Sequence, residues 1–321
     1  MVLEQVKIKL QESIDFANKV KEIPHKHVSF SQFSMYSQCP KKWFLSYVLK
    51  LGTRPPSIHM TFGTAFHEVL QEYLIENHNN KFKNKNEIDF SIELKNRIKE
   101  VYKKDFTNYG KHFSTSLELT EFWEQGVSIL NHIRSSHNLY YNRDNWSLLG
   151  VEVPLMIKII DSEEPLYFIL FIDLLFYDKE NNKLVIDDIK TSGKGWSSYS
   201  KKDKIKTSQV LLYKSFLAKS LNIDSQDIDC RFTIVRRITD GYDFPVSRVQ
   251  IFKPAQSKKS VENSIIEFKT FIKKVFDKQG NARQDILYPA LTGNNCFNCN
   301  YCEFKDRFDL CPEEARDYIN K

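Results

Sequence analysis

The amino-acid sequence predicts a mixed α/β fold in which helices flank a central sheet. Segments rich in Val, Ile, Leu and Phe recur between residues 150 and 252, as expected for strands. Segments with apolar residues at helical spacing precede, separate and follow these strands. The 321 residues are 41% hydrophobic, which suffices for a substantial core and excludes disorder as the main state.

Helical patterns dominate the first part of the chain. Apolar residues at helical spacing predict a leading helix over 1–22, which stops near Pro24. A second helix is predicted over 31–49, with Pro40 starting a new helical segment because it lacks an amide donor. The clearest amphipathic helix starts at Phe62, and its apolar stripe continues at 65, 66, 69, 70, 73 and 74.

Residues 79–145 are predicted to form a helical insertion. They alternate charged and apolar residues at helical spacing, and Thr115 and Glu118 are spaced as a capping box. The chain is accordingly divided into an N-terminal helix, 1–28, and one domain, 29–321, that contains the insertion. After the insertion, strands are predicted at 150–160, 166–177, 184–190, 230–238 and 246–252, and helices at 208–221 and 258–276.

Composition and charge restrict the class of protein. Lys and Arg exceed Asp and Glu by 47 to 41, a net charge of +6 that permits a nucleic-acid partner without requiring one. The longest apolar run, 166–177, contains Asp173 and is too short for the roughly 20 residues of a membrane span. The N-terminus lacks the apolar core of a secretory signal, so we expect a reducing cytoplasm and six cysteines without disulfides.

Two predicted strands form a hairpin that carries charged residues on one face. Asp188 and Lys190 share a face because side chains alternate, whereas Asp187 points the other way. A turn at 179–182 places Asp173 opposite Asp188, and a two-residue turn at 181–182 places it opposite Lys190. In either register the two carboxylates are near enough to bridge one divalent cation.

Ordinary strand-end charges on a solvated face are the alternative explanation for this hairpin. Asp173 argues against it, because this residue interrupts the apolar segment 168–176. A carboxylate in such surroundings is costly unless it binds a metal or a partner.

The order of several short motifs resembles the PD-(D/E)XK nuclease superfamily, and most closely its RecB-type branch. That branch includes the nuclease domains of bacterial recombination helicases and the CRISPR-associated exonucleases. The resemblance implies a restriction-endonuclease-like fold. Phe171 departs from it, since many relatives have glycine two residues before the first aspartate. The motifs are Gly63-Thr-Ala-Phe-His67, Asp173, Asp188-Ile-Lys190-Thr191 and Gln209-Val-Leu-Leu-Tyr213.

The resemblance implies a role for each of these residues. His67, Asp173 and Asp188 would bind Mg²⁺ or Mn²⁺, with help from the carbonyl of Ile189. Lys190 would activate the attacking water or stabilise the charge that develops on the phosphate. Gln209 and Tyr213 would position DNA or the lysine. For single residues the alternatives are a surface histidine at 67 and core packing of the tyrosine at 213.

A cluster of four cysteines near the C-terminal end, Cys296, Cys299, Cys302 and Cys311, indicates a soft metal. A zinc ion bound by these four is the simplest local interpretation. The segment around Cys39, however, resembles the first cysteine segment of iron–sulfur RecB-type nucleases. That resemblance implies a [4Fe–4S] cluster held by Cys39, Cys299, Cys302 and Cys311, with Cys296 as the spare. The remaining Cys230 is predicted to be a buried apolar side chain.

The predicted function is that of a Mg²⁺- or Mn²⁺-dependent DNA nuclease, an exonuclease of recombination, repair or viral DNA processing. A mobile basic loop is predicted over 193–207, and its lysine count alone favours an ordinary solvated loop. Its place directly after Lys190 would allow it to track phosphates, with Trp196 or Tyr199 stacking on a base. Since the chain has no Walker motif, a helicase or recombination protein would be a separate partner in a bacterial or virus-infected cytoplasm. The alternatives are an inactive DNA- or helicase-binding protein and a zinc-ribbon protein with an incidental acidic hairpin.

Overall fold

A six-stranded mixed sheet forms the centre of the fold. The computed structural model describes residues 3–53, 55–78, 88–142, 144–240, 246–293 and 296–317. The sheet has the order β1-β3-β4-β5-β6, with β2 also paired to β3. Its strands are β1 (Lys26–Ser29), β2 (Trp146–Ile160), β3 (Leu166–Asp178), β4 (Lys183–Ser192), β5 (Ile228–Arg236) and β6 (Val249–Phe252).

Helices cover the sheet, and a small two-stranded sheet lies near the C-terminal end. The short strands β7 (Ala290–Leu291) and β8 (Arg316–Asp317) pair in parallel. A π-helical turn, Phe44–Val48, follows α3. The helices are α1 (Leu3–Lys21), α2 (Phe30–Gln38), α3 (Pro40–Trp43), α4 (Ile58–His78), α5 (Phe90–Tyr109), α6 (Ser116–Ser135), α7 (His137–Tyr141), α8 (Ser198–Lys202), α9 (Lys204–Leu221), α10 (Lys258–Val275) and α11 (Phe297–Asn300).

The predicted mixed α/β fold is confirmed, and its arrangement is that of a restriction-endonuclease-like domain. Cys39 is extended between α2 and α3, and Pro40 is the first residue of α3, as predicted. The capping box at Thr115 and Glu118 is also present at the start of α6. Within the part of the chain that the structure describes, no helix is long and apolar enough to cross a bilayer.

Two predictions of local structure were wrong. The segment 193–207 is not a loop throughout, because Ser197 caps α8 and Asp203 caps α9, each by accepting backbone hydrogen bonds. Trp196 packs against Phe232, with ring centroids 4.8 Å apart, so it belongs to the core more than to a surface. Tyr199 is 77% exposed, as a stacking residue requires. The strand predicted over 246–252 begins at Val249, and 241–245 lie outside the described residues.

The hairpin of β3 and β4 has the first of the two predicted registers. Leu174 pairs with Asp187 and Asp178 pairs with Lys183, so residues 179–182 form the turn. This register extrapolates to place Asp173 opposite Asp188. The alternative with a two-residue turn is wrong.

Apolar side chains pack into two main clusters, and β3 contributes to both. Leu170 and Ile172 belong to the cluster that includes α9 and α10, whereas Leu174 and Phe176 belong to the cluster that includes α4, α5 and α6. Even-numbered side chains of β3 therefore pack in the first cluster before Asp173 and in the second cluster after it. The helices within 79–145 supply much of the second cluster, and Gly126 of α6 allows close packing, since an added Cβ would lie 2.5 Å from Leu94.

Candidate active site

Charged residues from β3, β4 and α4 meet where β3 changes from one core to the other. Asp173 Oδ2 accepts a hydrogen bond from the Ile189 amide at 2.8 Å, which ties β3 to β4. His67 Nδ1 lies 3.8 Å from Asp173 Oδ2, and Lys190 Nζ lies 2.6 Å from Asp188 Oδ2. The structure thus brings together the four residues that the motifs singled out. Their roles as metal ligands and catalytic lysine stay predictions.

A glycine allows α4 to approach β4. A Cβ added to Gly63 would lie 3.3 Å from Thr191 Oγ1, which is tighter than most such contacts. Four residues later on the same helix, His67 therefore reaches the carboxylates. The sequence motif Gly63-Thr-Ala-Phe-His67 thus has a local packing reason as well as a chemical one.

Burial dominates the electrostatics of the two aspartates. Desolvation raises the pKa of Asp188 to about 7 and that of Asp173 to about 6, against the favourable charge of Lys190. Asp188 Oδ2 is paired with the Lys190 ammonium at 2.6 Å, whereas the buried Oδ1 has no hydrogen-bond partner among the described residues. A buried carboxylate oxygen without a partner is available to bind a hard cation.

The basic groups at the site respond differently to burial. Desolvation, aided by the charge of Lys190, lowers the pKa of His67 to about 4, so the imidazole is neutral and able to coordinate a metal at pH 7. Burial opposes the charge of Lys190, but Asp188 and Asp173 outweigh it and raise the pKa of this lysine. Lys190 is therefore protonated near neutral pH in the metal-free protein.

Glu152 joins this group and was missed in the sequence. Its neighbours Val151 and Val153 pair with Leu174 and Ile172, which puts Glu152 opposite Asp173. Single ligand atoms of His67, Glu152 and Asp173 lie within 4.8 Å of one another, so these three could hold a metal ion. Oxygen ligands with one imidazole suit Mg²⁺ or Mn²⁺.

A glutamine on α4 orients Glu152. Gln71 Nε2 donates to Glu152 Oε1 at 2.7 Å and approaches the Asp173 carbonyl at 3.4 Å. Gln71 lies one turn after His67, so one face of α4 serves both residues. A signal for Glu152 existed in the sequence, because it is the only acidic residue within the apolar segment 150–160.

The neighbouring carboxylate, Asp187, is held in the core by buried polar partners and does not belong to the charged group. It points away from Lys190 and is fully buried, with Arg231 Nη2 at 2.6 Å and Thr233 Oγ1 at 2.7 Å. Arg231 also donates to the Tyr140 carbonyl at 2.8 Å and stacks over Trp146. The adjacent side chains of Asp187 and Asp188 thus lie on opposite faces of β4, as the alternation of strand side chains predicts.

Gln209 and Tyr213 lie beside the charged group. Gln209 Nε2 donates to the Tyr213 hydroxyl at 3.1 Å, and both residues line a groove that Asp173 also lines. Burial raises the pKa of Tyr213 above its ordinary value, so its hydroxyl keeps its proton. Their role in positioning DNA stays a prediction.

Four cysteines line a second cavity. They are Cys39, Cys299, Cys302 and Cys311, whereas Cys296 is absent from the described lining. Two hydrogen bonds join these segments, since the backbone amide of Lys41 donates to the Pro289 carbonyl and the side chain of Asn298 donates through Nδ2 to the Gln38 carbonyl at 2.7 Å. Cys230 is fully buried within β5, as predicted for an apolar side chain.

The first prediction separates the two adjacent aspartates. Asp187→Asn is expected to destabilise the protein by about 3 kcal/mol or more, because it leaves the Arg231 charge buried and uncompensated. Asp188→Asn is expected to change stability much less and to weaken Mn²⁺ binding strongly. Chemical denaturation and Mn²⁺ titration measure the two effects. Equal Mn²⁺ affinity of Asp188→Asn and the unmodified protein would contradict the assignment.

The second prediction concerns pH. The carboxylates must be ionised to bind a cation, and their pKa values are raised to about 6 and about 7. Protons therefore compete with the metal below neutrality, and Mn²⁺ affinity should rise by up to about 10-fold per pH unit for each proton displaced, then level off above about pH 7.5. Calorimetric titration across this range tests it, and an affinity that does not change between about pH 5.5 and 7.5 would contradict it.

Comparison with known families agrees with this geometry. The family model described as the PD-(D/E)XK nuclease superfamily matches residues 27–309 of the 321. No curated protein shows a significant match to the chain. The matched region contains every residue of the charged group and three of the four cysteines that line the cavity, Cys39, Cys299 and Cys302, whereas Cys311 lies just beyond it. The chain therefore belongs to the PD-(D/E)XK nuclease superfamily.

Proposed function

We propose that this protein is a metal-dependent DNA nuclease of the RecB-like branch that degrades DNA from an end. The observation that supports it best is the meeting of His67, Asp173 and Lys190, which are partly exposed, with the buried Asp188. A nuclease-type function follows from the superfamily. DNA as substrate, exonuclease action and a role in recombination, repair or viral DNA processing are parts of the proposal.

The residues present fit a divalent cation. Ligand atoms of His67, Asp173 and Glu152 lie within 4.8 Å of one another, and the buried Oδ1 of Asp188 has no hydrogen-bond partner among the described residues. When bound, Mg²⁺ or Mn²⁺ would polarise the scissile phosphate and neutralise its negative charge. His67, Asp173 and Asp188 would hold the ion, with Glu152 as a further ligand.

In this mechanism Lys190 stabilises charge. Its raised pKa keeps the ammonium protonated, which favours stabilising the phosphate over abstracting a proton from water. Asp188 holds the Nζ atom in place at 2.6 Å, and Asp173 is held by the Ile189 amide. The chain thus presents a fixed cationic group to the substrate before it binds, which is electrostatic preorganisation.

We also propose a [4Fe–4S] cluster at the four cysteines that line one cavity. Cys39, Cys299, Cys302 and Cys311 line one cavity, and Cys296 is not part of its described lining. This grouping supports the set of four that the resemblance implies, in which each of the four irons binds a different cysteine. Its role would be to join Cys39 to the C-terminal cysteines.

Nuclease assays on end-labelled DNA test the catalytic proposal. Lys190→Met is expected to lower kcat about 100-fold or more, the scale seen when one charge-stabilising group is removed. Lys183→Met is the matched control, because this lysine lies on the same strand and also pairs with an aspartate, Asp229, at 3.2 Å. The control should retain activity within about 2-fold. DNA binding without cleavage under any divalent metal would favour an inactive protein.

Spectroscopy of anaerobically purified protein tests the cluster. We expect a brown protein with broad absorption near about 400 nm and roughly four irons per chain. Cys39→Ala should remove the absorption, and Cys296→Ala, the matched control, should retain it. A colourless protein with one bound zinc that survives Cys39→Ala would contradict the proposal and support a zinc ribbon.

A further inference from the structure

One edge of β3 is shared by two strands that leave a gap between them. β1 pairs with residues Leu166 to Ile169, and β4 pairs from Leu174 onward. Since β2 runs along the other edge, residues 170–173 have no strand partner on the shared edge in the described pairing. The gap ends at Asp173, so it leads directly to the candidate metal site.

A groove of about 600 Å³ lies at this gap. Asp173, Gln209 and Tyr213 line it at the candidate active site, and residues of α1, β1 and α2 line it farther away. The residues of the outer part include Lys21, His25, His27, Ser29 and Ser31. Asp173 is the only carboxylate in the described lining, so the outer groove is neutral to basic.

Phe171 gives this groove an aromatic surface. It lies two residues before Asp173 on β3 and is 41% exposed, whereas the other residues of the strand are buried or half-buried. The ammonium of Lys21 lies 5.6 Å from its ring centroid. An exposed ring beside a cation matches the way proteins bind unpaired nucleotides, with a base on the ring and the phosphate near the charge.

We propose that this groove binds unpaired nucleotides of a single DNA strand next to the scissile phosphate, with Phe171 as the stacking platform. The inference rests on the proposed nuclease function and adds the form of its substrate. The volume of the groove is in the range of pockets that enclose drug-sized molecules, roughly 300–1,000 Å³. A groove of this size matches one or two nucleotides and not a stretch of duplex. Residues at this site thus select single-stranded ends.

Binding to labelled oligothymidine in the presence of EDTA tests the groove without cleavage. Phe171→Leu keeps apolar volume and removes stacking, so single-strand affinity should fall about 10-fold, with duplex affinity changed less than about 2-fold. Tyr109→Ala is the matched control, because Tyr109 is 44% exposed on α5 and outside the groove. Lys21→Ala should weaken single-strand binding and reduce its salt dependence by about one phosphate contact.

A second measurement covers the case in which a variant is unstable. A strand with 2-aminopurine next to the cleavage position should lose fluorescence on binding the unmodified protein, because the base stacks. Unchanged fluorescence, or equal single-strand affinity of Phe171→Leu and the unmodified protein, would contradict the proposal that this groove stacks a base on Phe171. If Phe171→Leu cleaves DNA with an unchanged KM, the proposed role of the groove is wrong and the proposed nuclease function stands. If binding depends on Phe171 but no cleavage occurs, the groove binds a single strand and the proposed nuclease function is wrong.

Discussion

The burial of two carboxylates between two apolar cores is the constraint on which the site depends. Asp173 and Asp188 are both removed from water, and desolvation raises the pKa of each. The chain offers one ammonium group and one backbone amide in return. With Glu152 included, three carboxylates against one ammonium leave two negative charges when all are ionised, and a divalent cation neutralises both.

This constraint is reflected in the length of β3 and in the way β1 and β4 divide one of its edges. The strand must place Leu170 and Ile172 in one core and Leu174 and Phe176 in the other, and Asp173 occupies the change between them. β1 and β4 therefore pair with different halves of the same edge, which leaves the gap that the groove occupies. The same geometry that buries the carboxylate on one side opens a path to it on the other.

The local patterns were sufficient to predict the hairpin, because alternation and turn length restrict the register to two choices. The divergence of Asp187 from Asp188 followed from period two alone, whereas the pairing of Asp173 with Asp188 also required the turn at 179–182. Glu152 was missed because its place depends on pairing with β3 and on Gln71 of a distant helix. The loop at 193–207 was mispredicted because its helix caps, Ser197 and Asp203, were given no weight.

The two candidate metal centres differ in donor chemistry, and no residue of the charged group is in the described lining of the cysteine cavity. Carboxylates and one imidazole suit a hard cation, whereas thiolates suit iron–sulfur clusters or other soft metals. Cys39 immediately precedes α3, whose Trp43 is buried against Phe271 and Tyr288. The cysteine cavity is thus anchored to the core through α3, while β7 and β8 bring the C-terminal cysteines to it. A cluster there would hold two distant parts of the chain together and supply no ligand to the carboxylate site.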